Sequence, residues 1–496
     1  MLAGTALLGD RGRAPLDEIS QDLVMPAVTK NGDGSPLFPP AGYRRRVDDW
    51  LTAALNSANE RVRHGPVTPA PEIDARIGAL ASFDFESPLP LENLLPWVIE
   101  QLEHGVVHVN HPRYFGLFNP APTFPSQCAD RVVAAFNPQL ATSTTSPFPV
   151  ALEAHVIRAI AERAGLPRGT AGHFTSGGSE ANYTALICAL TQANEGFASR
   201  GARGFSGQPV FYTSKEAHLA WLKIAHQAGI GRDAVRLIST DGCGRMSPAA
   251  LVTAMSEDLA GGLVPVMIAA TAGTTGAGMI DPLQECAEIA RRHGIWYHID
   301  AAWGGALIAA ERRGGVLAGI EAADSLTIDA HKWFATTMGC GMFLTAHASE
   351  LSSAFRAVMD CMPSNVPDRD PYVTSVQWSR RFNGLRLFLA LATAGWSGYA
   401  EHVERSIELA DSIRDKLISY GWTHANRSPM AVVCMAPPPG APDVHSIARK
   451  VVESGTAWIS ATEFEGSAVI RACVTNPEAS DGDIDLLIES LTAAIG

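Results

Sequence analysis

Lys332 stands in the run Ser325-Leu326-Thr327-Ile328-Asp329-Ala330-His331-Lys332-Trp333, where an apolar segment gives way to Asp, His and Trp. A lysine in that setting is poorly placed for an ordinary solvated charge. Partial burial weakens its preference for the ammonium form, and the neutral amine is then a nucleophile for a carbonyl carbon. Asp300, 32 residues earlier, ends a second apolar run, Gly294-Ile295-Trp296-Tyr297-His298-Ile299-Asp300, before Ala301-Ala302-Trp303. An amine able to form a Schiff base and a carboxylate able to hold a protonated ring nitrogen therefore close two neighbouring strand-like segments.

Three more such segments end in polar groups. His173-Phe174-Thr175 runs into Ser176-Gly177-Gly178-Ser179-Glu180 and a helical pattern over Ala181–Ala193. Glycines and a serine at a helix start place backbone N–H groups and a hydroxyl around an anion, although the same turn also serves as a plain cap. Val210–Ser214 is followed by Lys215-Glu216-Ala217-His218, whose histidine could stack on an aromatic ring or cap a helix. Val264–Thr271 runs into Ala272-Gly273-Thr274-Thr275-Gly276, a polar loop or a solvent-facing turn. Asp300 read alone is a helix cap, and Lys332 read alone is a snorkelling surface lysine. Five such ends at one sheet edge point instead to pyridoxal phosphate (PLP). In that reading the phosphate sits on the first helix, His218 on the ring face, Asp300 at the ring nitrogen and Lys332 at the aldehyde.

The elements that must position these groups lie in the middle of the chain. Residues 121–390 alternate β-branched runs with amphipathic helical patterns, which predicts a large α/β domain with a mostly parallel central sheet. Residues 391–496 alternate helix and strand (Ala400–Tyr420, Met430–Met435, Asp443–Ser454, Ala468–Val474, Asp481–Ile495) and read as a small α+β domain. Residues 1–120 form a third, helical segment. It opens with a Gly- and Pro-rich stretch holding Asn31-Gly32-Asp33-Gly34-Ser35-Pro36 and continues with helical patterns over Tyr43–Arg63 and Leu91–His104. That segment is too small to fold alone and must pack on a neighbour or a second subunit.

With 496 residues, 46% hydrophobic and 18% charged, the chain has the composition of a globular enzyme. A net charge of −13 without a basic stripe excludes nucleic acid as the expected partner, and Arg44-Arg45-Arg46 reads as a solvated helix face. No apolar run has the length of a membrane span, and no metal-ligand cluster stands out. The eight cysteines, Cys361 among them, lack CxxC spacing, which predicts reduced thiols and a cytoplasmic location.

From about residue 90 onward the chain resembles the group II PLP-dependent amino-acid decarboxylases, relatives of the aromatic-amino-acid and glutamate decarboxylases. The likeness is carried by His111-Pro112-Arg113-Tyr114-Phe115, Ser176-Gly177-Gly178-Ser179-Glu180-Ala181, Ala217-His218, Gly273-Thr274-Thr275, His298-Ile299-Asp300-Ala301-Ala302-Trp303, Asp329-Ala330-His331-Lys332-Trp333 and Ser379-Arg380-Arg381-Phe382. It implies a fold-type I (aspartate aminotransferase-like) PLP enzyme that decarboxylates an L-amino acid and works as a homodimer with shared active sites. By the same resemblance, Lys332 carries PLP, Asp300 holds the pyridine nitrogen and His218 stacks over the ring. Gly178 and Ser179 bind phosphate with help from Asp329 and His331, and Thr275 and Ala302 line the ring.

Tyr372, the one tyrosine between Phe355 and Trp378, is the candidate proton donor, acting across the subunit boundary. Arg380 is the candidate ligand for a substrate carboxylate, with Phe118 and Thr142 as further substrate-site residues and Arg381 as a structural partner. Two departures bear on the substrate. Leu219-Ala220 follows His218 where many relatives carry a serine second, and Gln139–Pro147 is small and polar where relatives often place aromatic residues. Rival readings are a fold-type I aminotransferase using Arg471 for the α-carboxylate, a C–C lyase or aldehyde synthase on the same scaffold, and a non-catalytic scaffold protein.

Overall fold

The computed structural model describes residues 37–69, 73–310, 315–357 and 370–496. The expected loop at Asn31–Pro36, Cys361 and residues 360–369 of the loop before Tyr372 lie outside the described residues.

The large sheet contains seven strands: β1 (Ala171–Thr175), β2 (Pro209–Ser214), β3 (Val235–Ile238), β4 (Val264–Thr271), β5 (Trp296–Asp300), β6 (Ser325–Asp329) and β7 (Gly341–Thr345). Their spatial order is β1-β7-β6-β5-β4-β2-β3. The pairs β2–β3, β2–β4, β4–β5 and β5–β6 are parallel, and β7 runs antiparallel between β1 and β6. The expected mostly parallel α/β fold is therefore present. Residues of β5 and β6 are buried along their whole length, as parallel strands covered by helices on both faces must be.

Local chemistry sets several boundaries. The helix Leu283–His293 ends at Gly294, which adopts φ 62° and donates its N–H back to Ala290 and Arg291. The glycine thus closes a helix, and the strand expected from Gly294 begins at Trp296. At Gly341, which opens β7, a side-chain Cβ would lie 2.6 Å from Thr175 Oγ1 and 2.7 Å from Asp329 Oδ1, so glycine permits the close approach of β7 to its neighbours.

A helical stretch over Gly384–Ser419, broken at Gly395 (φ 63°), crosses residue 390 and leads to the second sheet. That sheet is antiparallel in the order β10-β11-β9-β8, with β8 Thr423–His424, β9 Val432–Ala436, β10 Ser460–Phe464 and β11 Ser467–Cys473. Its edge is extended by the N-terminal part of the chain. Phe115 donates its N–H to Trp458 O at 2.8 Å, and Cys473 donates to Phe115 O at 2.9 Å. Helices Ala41–His64 and Leu91–Gly105 pack on each other through Ala54, Ala58 and Ile99, and Arg44, Arg45 and Arg46 are solvent-exposed. Among the described residues no helix is long and apolar enough to cross a membrane.

Candidate active site

Five strands of the large sheet end at one cavity of about 310 Å³. Ser176–Glu180 follow β1, His218 follows β2, and Thr271, Gly273 and Thr275 end or follow β4. Asp300, Ala302 and Trp303 come from β5, and Asp329, His331 and Lys332 from β6. The register accounts for the convergence: Thr271 pairs with Asp300 and Asp300 with Thr327, so consecutive parallel strands deliver their last residues to the same edge.

Lys332 lies in the turn after β6, its Nζ 3.0 Å from Asp329 Oδ2 and 5.9 Å from the centre of the Phe118 ring. The lysine side chain keeps 21% exposure, while Asp329 is sealed at 3%. Asp329 thus pairs with Lys332 while also lying beside Gly178 at the helix start, where it was expected. His331 lines the cavity with its Nδ1 engaged by the Cys340 backbone, and its Nε2 is 3.9 Å from Asp329 Oδ2.

Beside Asp329 the 16-residue helix Gly178–Ala193 starts with no side chain capping it. Glu180 turns back to accept from Ser176 N at 2.8 Å and Ser176 Oγ at 2.7 Å, so it orders the loop. A Cβ on Gly178 would stand 3.0 Å from Asp329 Oδ2 and 3.3 Å from the Ala302 Cβ. Glycine therefore keeps open the space at the helix N-terminus where an anion binds best.

Asp300 is buried and bonded at both oxygens, Oδ1 accepting from Ala302 N at 3.1 Å and Oδ2 from Asn182 Nδ2 at 2.8 Å. Among the described residues no lysine or arginine pairs with it. A buried carboxylate with donors but no counter-charge fits a protonated ring nitrogen, and Lys332 on the same cavity fits the aldehyde. These groups and the open helix start are the observations by which the site fits PLP. His218 lines the cavity and accepts the Ala220 N–H on Nδ1 at 3.1 Å, so it caps a helix and faces the cavity at once. Thr275 and Ala302 also line it.

Trp303 is the aromatic side chain that lines the cavity, and it is backed by Phe118, stacked on it at 4.4 Å between centroids, and by Trp333 at 5.3 Å. Gly273 (φ 106°) lets the backbone pass these rings, since a Cβ there would lie 2.8 Å from Trp303 Nε1. Behind Phe118 stands Arg471, its guanidinium carbon 4.8 Å from the ring centre. Arg471 is 3% exposed and donates from one terminal nitrogen to Gly116 O at 2.6 Å, while its Nε and other terminal nitrogen have no protein partner.

Three expected residues are not brought to Lys332. Arg380 is buried at the far side of β1, 2.6 Å from Glu153 Oε2 and 3.0 Å from Phe174 O. With Glu153 and His173 it lines a separate cavity of about 350 Å³. This corrects its expected role: its charge is already matched by a buried carboxylate, which leaves none for a substrate. Tyr372 is buried against Trp378 with its N–H on Ala141 O at 3.2 Å, and it does not line the Lys332 cavity. Burial and Asp370 push its phenol above the ordinary range. Thr142 pairs with Thr145 through hydroxyls 3.0 Å apart and is likewise outside the cavity. Arg381 meets Asp130 at 3.0 Å, a surface pairing.

Two site residues escaped sequence reasoning, Asn182 and His298. His298 carries a signal: it lies two residues before Asp300, hence on the same face of the strand. Asn182 carries none, because its contact with Asp300 spans two separate elements.

Comparison with known proteins follows the same lines. The domain described as "Pyridoxal-dependent decarboxylase conserved domain" matches residues 84–429. The acidic amino acid decarboxylase of Bos taurus is 27% identical over 530 aligned residues, covering 98% of this chain and 98% of the relative. The L-2,4-diaminobutyrate decarboxylase of Rhizobium meliloti is 33% identical over 300 residues, 60% of this chain and 59% of the relative. The crystal structure of mouse CSAD in apo form superposes with a TM-score of 0.82 at 25% identity, covering 90% of this chain and 99% of the mouse chain.

Proposed function

We propose, from the premise that this chain belongs to the pyridoxal-dependent decarboxylase family, that it removes the α-carboxylate of an L-amino acid as CO₂ and releases the corresponding amine. The enzyme is a PLP-dependent carboxy-lyase. The observation that carries the residue-level reading is the placing of an amine, an uncompensated buried carboxylate and an open helix start around one cavity.

When bound, PLP supplies an aldehyde that takes up amines and a ring that accepts an electron pair. The chain's residues do the rest. Gly178, Ser179 and the helix start would hold the phosphate, with His331 beside them. Asp300 would hold the ring nitrogen through its proton, and His218, on the same cavity, would contact the ring. Lys332 Nζ would anchor the aldehyde, and Asp329 Oδ2 at 3.0 Å holds the ammonium of the lysine. Arg471 does not line the cavity but stands behind Phe118 with two donors unspent, so a shift of the Phe118 ring would open it to the substrate's α-carboxylate, and Trp303 with Phe118 would keep water from the carbon that loses it. One proton must be taken up at that carbon for each CO₂ lost. Tyr372 is the reading for its source only across a subunit boundary, since within one chain it does not line the cavity.

A homodimer suits these surfaces. Leu219, beside His218, is 72% exposed, and Phe124 and Phe136 are 73% and 82% exposed. Such bare apolar groups call for a covering partner. The scattered thiols suit a cytoplasmic location.

The test is a panel of acidic, aromatic and diamino L-amino acids supplied to the PLP-loaded enzyme, with CO₂, amine, aldehyde and 2-oxo acid measured. Equal amounts of CO₂ and amine from one class support the reading. A 2-oxo acid without CO₂, or an aldehyde with ammonia, overturns it.

A further inference from the structure

Behind Asp300 a row of buried side chains continues away from the cavity. Asp300 Oδ2 meets Asn182 Nδ2 at 2.8 Å, and Asn182 Oδ1 meets His298 Nε2 at 3.0 Å. His298 Nδ1 meets Ser325 Oγ at 2.7 Å, and Ser325 Oγ meets Trp296 Nε1 at 2.7 Å. All five residues are buried.

The chemistry of the two ends fixes the direction of every bond. The indole N–H of Trp296 can only donate, so Ser325 Oγ accepts from it. An ionised Asp300 can only accept, so the Asn182 amide turns its nitrogen towards it and presents its oxygen to His298. That oxygen needs a donor, which places the imidazole hydrogen on Nε2. Nδ1 is then a lone pair, and it accepts the Ser325 hydroxyl hydrogen. Thr327 Oγ1, 3.4 Å from Nε2, is a weaker second acceptor. Burial pushes the imidazole down to about 4 against the opposing pull of Asp300, so the ring is neutral and carries the single hydrogen that this scheme requires.

We infer that Trp296, Ser325, His298 and Asn182 form a one-directional hydrogen-bond relay whose four donors all point towards Asp300, positioning its charge so that the shared proton rests on the cofactor's ring nitrogen rather than on the carboxyl group. The inference rests on the reading that Asp300 faces that nitrogen. Its physical basis is that a hydrogen bond to a carboxylate is stronger than one to a neutral acid, and Asn182 Nδ2, backed in turn by His298, Ser325 and Trp296, gives such a bond to Asp300 Oδ2. In the competing neutral acid–pyridine pair the carboxyl hydrogen points to the ring nitrogen and the Asn182 bond persists only in weakened form, so the row favours the ion pair. The four are positioning residues, since none of them lines the cavity except Asn182, which touches Asp300.

The test has two arms. In cofactor-free enzyme labelled with nitrogen-15 at histidine, His298 should give the Nε2–H tautomer in the wild type and move towards Nδ1–H in Asn182→Leu. In enzyme loaded with PLP labelled at the ring nitrogen, the wild type should show a protonated nitrogen. Asn182→Leu and Ser325→Ala should shift it towards the unprotonated signal, the nearer substitution by more. Loss of a bond to a charged group should lower kcat about tenfold or more, with KM changed less than about twofold. A residue that merely stabilised the fold would lower the unfolding midpoint and leave the ring-nitrogen signal in place. An Nδ1–H tautomer in the wild type, or an unchanged ring-nitrogen signal in both variants with PLP bound, overturns the relay. An unprotonated ring nitrogen in the wild type overturns instead the reading of Asp300 on which it rests.

Discussion

Removing one member of the Arg380–Glu153 pair separates a structural from a substrate-binding role for Arg380. The two side chains are 3% and 4% exposed and 2.6 Å apart, and Arg380 also donates to Phe174 O at 3.0 Å. Glu153 has further backbone donors, Gly384 N at 2.9 Å and Asn383, and burial already pushes its carboxyl up from the usual carboxylate range against the pull of Arg380. Arg380→Met leaves that carboxylate in a dry site with backbone donors alone. Breaking a buried pair from one side costs about 3–5 kcal/mol, whereas replacing both partners by apolar groups of similar volume is close to neutral. Arg380→Met and Glu153→Leu should therefore each lower the unfolding free energy by about 4 kcal/mol, roughly a thousandfold in the folded fraction. The double variant should recover most of the loss.

The assay is urea unfolding of the PLP-loaded enzyme, followed by the fluorescence of its ten tryptophans, beside steady-state kinetics of each variant below its transition. Because Arg380 lines a different cavity from Lys332, KM for the substrate should change by less than about twofold in the folded variants. The conservative Arg380→Lys is decisive. If it left stability within about 1 kcal/mol and raised KM tenfold or more, the guanidinium would be acting on substrate and the argument from the buried pair would fail.

The same reasoning gives further expectations. Lys332→Ala should abolish the visible absorbance of bound PLP and the activity, and it leaves Asp329 buried without its counter-charge; adding Asp329→Asn should restore stability but not absorbance, as urea midpoints and spectra will show. Arg471→Met removes a buried guanidinium with two unpartnered nitrogens, so it should raise KM about tenfold or more without lowering stability, and a lower stability with unchanged KM would sink its proposed role. His173 is held neutral, burial and the nearby Arg380 charge taking it down to about 3, so the unfolded chain binds more protons than the folded one below the ordinary histidine value near 6.5. Stability is therefore full above pH 6.5 and falls as pH drops towards 3. At pH 5 this group contributes about 2 kcal/mol of the loss, which His173→Leu should remove from the difference between unfolding free energies at pH 7 and pH 5.

Most of the cavity's edge was legible because strand ends announce themselves. Lys332, Asp300, His218 and Thr275 lie at or just after the ends of largely apolar, β-branched or aromatic runs, the Gly178–Ser179 turn announces itself by its glycines, and parallel strands deliver their ends to one edge. What stayed hidden was pairing. Antiparallel β7 sits between β1 and β6 because Gly341 allows a close approach, a steric fact with no periodic signature. Likewise Gly294 looks like the first residue of a strand until its positive φ shows that it closes the helix before it.

The two arginines show why charge in a sequence misleads without its partner. Arg380 lies beside a family motif and invites a catalytic reading, yet Glu153, far away in the chain, matches it in the folded state. Arg471 lies in the strand expected over Ala468–Val474 and was weighed only for a rival reaction, yet the fold leaves two of its nitrogens unmatched behind Phe118. Unspent donors alone do not separate the two, since Arg380 also keeps its Nε unpartnered. What separates them is charge: Glu153 matches Arg380 at 2.6 Å, whereas among the described residues Arg471 has two unpartnered nitrogens and no ion pair, and a buried cation without a counter-charge is the one with most to gain from a substrate carboxylate.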